Sequence, residues 1–139
     1  MTERTETMHE NADHLIAIAY GLPFVWIGVQ HFLDPDWFEP IVPSSLGNPT
    51  FWVYLSGAFE ITLGLGVALP WFRKEATMGI AVMLVALYWA NLNMWINDIP
   101  IGDTRLSQRG HIIRGAVQLT LIIAALWIGG WIGPKSRGI

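Results

Sequence analysis

The stretch FWVYLSGAFEITLGLGVALPWFRKEATMGIAVMLVALYWANLNMWIN, Phe51 to Asn97, decides the fold class. It holds two long apolar runs separated only by Pro70 and the charged triplet Arg73, Lys74 and Glu75. A bilayer core about 30 Å thick needs about 20 mostly apolar residues per helix, so each run is long enough to cross it. The proline and the charges between them stop one helix and start the next. Working outward, HLIAIAYGLPFVWIGVQHF (14–32) reads as a preceding span, in which Pro23 is tolerable because neighbouring helices re-satisfy the freed backbone groups. The segment from His111 to Ile132 reads as a last one, closed by Gly133 and Pro134. The expectation is an all-α integral membrane four-helix bundle, a single transmembrane domain over 1–139 with spans at about 14–32, 50–70, 76–97 and 111–132. Composition agrees, with 53% hydrophobic residues against 14% charged.

Composition also removes several classes of function. The net charge of −3, owed partly to the opening MTERTETMHENADH, provides no basic surface for nucleic acid. With no cysteine there is no disulfide, no CxxC pair and no thiolate-ligated metal, so a redox role needs a borrowed cofactor. The polar N-terminus lacks the basic and apolar regions of a cleaved signal peptide, and the first span is expected to direct insertion.

Between the first two spans lies LDPDWFEPIVPSSLGNP (33–49), whose Pro40, Pro43 and Pro49 follow Pro35 too closely for a helix. It keeps Trp37, Phe38, Ile41 and Val42, so an apolar aromatic loop packed over the bundle mouth is expected. Lysine and arginine next to the spans set orientation. Arg4, Arg73, Lys74, Lys135 and Arg137 fall on one side, Arg105 and Arg109 on the other, which places both termini in the cytoplasm and the aromatic loop outside. Trp37, Trp52, Trp71, Trp95 and Trp131 fall near predicted span ends, where indole anchors at the headgroups.

Ionisable groups inside a bilayer cost about 2.5–3.5 kcal/mol on insertion scales, so each needs a partner or a polar cavity. The candidate binding residues or buried polar cluster are His31, Glu60, Asn91, Arg114 and Gln118. Ser56 and Glu60 are four apart, and His111, Arg114 and Gln118 follow an i, i+3, i+7 stripe, so each set shares a helix face. A rise of about 1.5 Å per residue sets the deep members, Glu60 above all, in the outward half and leaves His31 close to the surface. Arg114 is expected to reach Glu60, with Asn91 and Gln118 completing the hydrogen bonds. His31 at a boundary also suits contact with headgroups, and His111, opening its helix, suits a solvated position. No HxxxH or ExxH spacing supports a metal, no GxSxG turn supports a nucleophilic serine, and no catalytic residue is assigned.

The run HFLDPDWFEPIVP, followed by VYLSGAFEITLGLGVALPWFRKEATMGIAVMLVALYWANLNMWI, resembles the DoxX family of small four-helix membrane proteins. The resemblance covers about Gly28 to Trp127. It rests on the aromatic after His31, the Ile41-Val42-Pro43 element, Ser56-Gly57 before Glu60, and Asn91 in the third span. Arg114 and Gln118 match a looser pattern in the fourth, where HIIRGAVQ departs from the family's proline spacing. The resemblance implies a bacterial cytoplasmic membrane and a subunit or accessory of a membrane redox system, working with a partner redox protein. It implies a quinone-like hydrophobic ligand, for which an apolar pocket with a few hydrogen-bonding groups is the suitable site. The alternatives are a scaffold or assembly factor whose polar cluster is architectural, and a small transporter with Glu60 as coupling group. The lipid bilayer is the first partner in every case, and a homo-oligomer is compatible with each.

Overall fold

In a computed structural model of the chain, residues 1–134 are described. They form five helices: α1 (Thr2–Leu33), α2 (Pro35–Phe38), α3 (Pro49–Ala68), α4 (Arg73–Ile96) and α5 (Gln108–Ile128). No β-strand occurs among the described residues, only a single bridge between Ile101 and Thr104. Four of the five helices, α1, α3, α4 and α5, are long and apolar enough to cross a membrane. That is the makeup of a multi-pass membrane protein.

Helix ends follow local chemistry. Asp34 precedes Pro35, a position that disfavours helical backbone, and α1 stops there. The Asn48 side chain accepts from the Thr50 and Phe51 amides and Pro49 stands at the first helical position, so α3 begins in the ordinary way. It ends at Ala68, two residues before Pro70, where Arg73 donates to the Val67 carbonyl at 2.8 Å and the Ala68 carbonyl at 3.2 Å. Those terminal carbonyls have no partner within the helix, and the guanidinium also reaches His14 of α1. Ser107 caps α5 through the Gly110 amide.

Three stretches differ from the sequence reading, the last being α5, which runs from Gln108 and ends at Ile128, four residues before the expected Ile132, with Gly129 as its cap. Helix α1 starts twelve residues earlier than expected, because nothing in Thr2–Asp13 breaks a helix; its exposed polar turns continue the rod beyond the apolar part. At about 1.5 Å per residue it is about 48 Å long, more than a bilayer core. The proline-rich segment also contains helix after all. Pro35 opens the single turn α2, and Pro40 lies in a 3-10 turn over Glu39–Ile41, since proline is tolerated in a first turn where its missing N–H has no partner to lose.

Helix α1 packs most extensively on α3, α3 on α4 and α4 on α5, while α5 touches α1 sparingly. Small residues explain the α1–α3 pairing. Gly21 and Gly28 are seven apart, as are Gly57 and Gly64, and the antiparallel helices set Gly28 against Gly57 and Gly21 against Gly64. A Cβ on Gly28 would lie 2.7 Å from the Gly57 carbonyl oxygen, and one on Gly64 2.7 Å from that of Gly21. Glycine is what lets the backbones meet, and in lipid such close packing is a main source of helix association. Across the bundle, Tyr20 of α1 donates to the Leu121 carbonyl of α5 at 2.7 Å. A core of Ala17, Phe24, Val67, Ile80, Leu84 and Ala125 fills the centre.

Candidate functional site

The α3–α4 hairpin is tight at its turn, where a Cβ on Gly66 would lie 2.8 Å from the Ala76 Cβ. Away from the turn the two helices border a groove of about 650 Å³. Its walls are the Trp52, Ser56, Phe59 and Leu63 face of α3, at helical spacing, and the Gly79, Met83, Ala86 and Ala90 face of α4. Small side chains at 86 and 90 leave the space, while Gly79 makes room for Leu63. Phe38, Ile41, Val42, Pro43 and Leu46 from the connection between α1 and α3 close the far end. The lining is almost wholly apolar, and the groove opens sideways, with Val82, Trp89 and Phe59 exposed along it.

The connection is pinned in place as a cover. Asn93 of α4 donates to the Ile41 carbonyl at 3.1 Å, Trp52 donates to the Leu46 carbonyl at 2.8 Å, and Thr50 donates to Glu39. Trp37 lies against Gly102 of the α4–α5 connection, so the two connections at this end touch. Beneath the cover sits His31. Its ring stacks on Phe38 with centroids 3.8 Å apart, and it lines the groove.

His31 is therefore buried, 7% exposed, and not at a surface. Depth counted from the end of α1 sets it near the boundary, but α3 starts further out: His31 packs beside Gly57, about 12 Å along α3 from Pro49. Its Nδ1 lies 2.8 Å from the Ile27 carbonyl and 3.2 Å from Glu60 Oε2. A carbonyl can only accept, so Nδ1 carries a proton and gives it to Ile27. The contact with Glu60 is close but not a hydrogen bond, and Glu60 Oε2 is a buried oxygen without a hydrogen-bond partner. Glu60 turns to α1 while Ser56, one turn earlier, opens on the groove.

The other three candidates belong to a different place. Arg114 of α5 donates to Asn91 Oδ1 and to the Met94 sulfur, at 2.8 Å for the latter, and Gln118 donates to the Leu84 carbonyl at 2.6 Å. These bonds tie α5 to α4. Arg114 makes no ion pair with Glu60; an acceptor on the adjacent helix satisfies it first. The expected single cluster is thus two: His31 with Glu60 between α1 and α3, and Asn91, Arg114 and Gln118 between α4 and α5.

His111 is also buried, contrary to a solvated helix start, because Trp95 stacks on its ring at 5.4 Å while donating to Gln108 at 2.6 Å. No three histidine, aspartate or glutamate side chains among the described residues converge as a metal set would. Sequence reading missed Phe38 as the partner of His31 and the α4 wall entirely. The signal for that wall was the recurrence of Gly79, Ala86 and Ala90 at i, i+7 and i+11 on one face.

Residues 21–129 match the family model described as a domain of unknown function (DUF8561). The chain belongs to that family. The match spans α1 from the first crossing glycine through the end of α5, so the DUF8561 unit takes in the crossing, the cover and the groove. It also corrects the DoxX resemblance. The residues that carried it do structural work any such bundle requires: Gly57 serves a helix crossing, the Ile41–Pro43 element a cover, and Asn91 an interhelical bond. No curated protein and no solved structure matches the chain.

Proposed function

We propose that this DUF8561 protein is a multi-pass membrane protein that binds a hydrophobic amphiphile in the α3–α4 groove, with the ligand's polar head at the His31 end. The observation that carries the reading is the groove itself, whose volume lies in the range of about 300–1,000 Å³ usual for small-molecule sites and whose apolar wall ends at one histidine and one serine. Its lateral opening suits entry from lipid. Orientation rests on the basic residues flanking the helices, with the covered end outside and the termini cytoplasmic; Lys135 and Arg137 lie outside the described residues, and Arg4, Arg73 and Lys74 carry the argument. A bacterial cytoplasmic membrane, a redox partner and a quinone cofactor came with the DoxX resemblance and have no residue of their own here, so the ligand is defined by its chemistry alone. The scaffold reading applies to the α4–α5 half, where Asn91, Arg114 and Gln118 are all engaged with one another or with backbone.

The test is mass spectrometry of the protein purified in mild detergent, beside an Ala86→Trp variant that fills the groove. A stoichiometric amphiphile in the wild type that is depleted in the variant supports the reading. Equal, non-stoichiometric lipid in both overturns it.

A further inference from the structure

The polar atoms at the closed end of the groove are acceptors. His31 Nδ1 is protonated and engaged with the Ile27 carbonyl, so a neutral ring presents Nε2 as a lone pair, and no partner for Nε2 exists among the described residues. A neutral ring beside a neutral Glu60 acid is the pairing that suits the place: a carboxylate there would leave an oxygen buried without a hydrogen bond, which apolar surroundings penalise heavily, and Glu60 itself does not line the groove. Ser56 gives its proton to the Val53 carbonyl at 3.0 Å, leaving lone pairs on Oγ. Of the donors on the wall, the Trp52 indole is engaged with the Leu46 carbonyl. Trp89 adds an indole N–H, but on a ring 56% exposed along the open side.

From this arrangement we infer that the groove selects amphiphiles whose head is a hydrogen-bond donor, a hydroxyl, over those whose head only accepts. The inference rests on the groove-binding reading and adds the head-group chemistry. A ketone, ester or quinone oxygen brought against His31 Nε2 and Ser56 Oγ would oppose lone pair to lone pair, whereas an alcohol, a phenol or the hydroquinone form satisfies the ring nitrogen. Two acceptors, His31 and Ser56, and one engaged donor, Trp52, around one apolar slot make the discrimination one of unmade hydrogen bonds, the kind a hydrophobic wall alone does not achieve.

The probes are a brominated long-chain primary alcohol and its methyl ether, which have the same tail and differ in the donor proton. Binding is read as saturable quenching of the tryptophans in detergent-solubilised protein, with Ala86→Trp as the blocked control. The alcohol is expected to bind about tenfold more tightly than the ether, and His31→Phe, which keeps the stack on Phe38, to reduce that ratio to near one. Should His31→Phe fail to fold, the wild-type ratio alone decides. Equal or tighter binding of the ether overturns the inference while leaving the groove reading intact, and a preference that survives in folded His31→Phe overturns the assignment to His31. If neither probe quenches saturably, the groove reading itself falls.

Discussion

Replacing Gly28 with alanine tests whether the α1–α3 crossing is set by backbone contact. The new Cβ would lie 2.7 Å from the Gly57 carbonyl oxygen, 2.8 Å from Ile61 Cγ1 and 3.0 Å from the Ile61 amide nitrogen. Carbon–oxygen contacts of this kind sit at about 3.3 Å or more, so the helices must part by about 0.6 Å. A gap of that size forfeits about a quarter or more of the dispersion energy along the crossing, and overpacking of this type costs about 1–3 kcal/mol. Alanine also gains up to about 1 kcal/mol over glycine as a helix former, which blurs a single measurement. Gly79→Ala removes the ambiguity. Its Cβ would lie 2.7 Å from Leu63 Cδ2, the tip of a flexible side chain at the edge of the groove, which can rotate away. Both variants carry the same propensity gain, so their difference isolates the clash. Gly28→Ala is expected to be less stable than Gly79→Ala by about 1–3 kcal/mol in a denaturation titration followed by circular dichroism in detergent. Equal shifts of the two would refute the claim that backbone contact sets the crossing.

Three further outcomes follow from the polar pairs. Arg114→Lys cannot reproduce the fork that meets both Asn91 and Met94, and should cost about 1–3 kcal/mol; combined with Asn91→Ala in a double-mutant cycle it should couple by more than about 0.5 kcal/mol, and strict additivity would deny the contact. Glu60→Gln removes no hydrogen bond to Oε2 and should leave stability within about 1 kcal/mol, whereas a loss of about 3 kcal/mol or more would mean that a charged pair with His31 holds α1 to α3. Arg105 and Asp98 meet at 2.7 Å, but their side chains are 63% and 68% exposed, so Arg105→Ala should change the same titration by less than about 1 kcal/mol.

Sequence reading located the four long apolar helices because length and hydropathy alone determine them. Turn chemistry placed most ends: Asp34-Pro35, Asn48-Pro49 and Pro70 each act within a few residues. The polar residues were legible as residues in need of partners, but not in their pairing. A helix face can be read from spacing, while the neighbour it meets depends on helix order and on how far each helix is shifted along its axis. That shift is why His31 lies deep: α3 extends past the end of α1, and the Pro35–Leu46 segment folds over the difference. Arg114 went to α4 for the same reason, since α5 packs on α4 and Glu60 is turned to α1.

Small residues do opposite things on the two sides of α3, and the facing residue decides which. On the α1 side, Gly57 and Gly64 face Gly28 and Gly21, both partners lack a side chain, and the backbones close. On the α4 side, Gly79, Ala86 and Ala90 share the space with Phe59, Leu63 and the aromatic cover. There the helices cannot close, because large side chains and the tight Gly66–Ala76 contact at the turn hold their separation, and the missing volume remains as a groove. The same argument gives a direction to substitution. Enlarging a small residue on the α1 side should lower stability, whereas enlarging Ala86 or Ala90 should leave the fold intact and remove the space. If Ala86→Trp destabilised the bundle as much as Gly28→Ala, the groove would be a packing contact and not a place for a ligand.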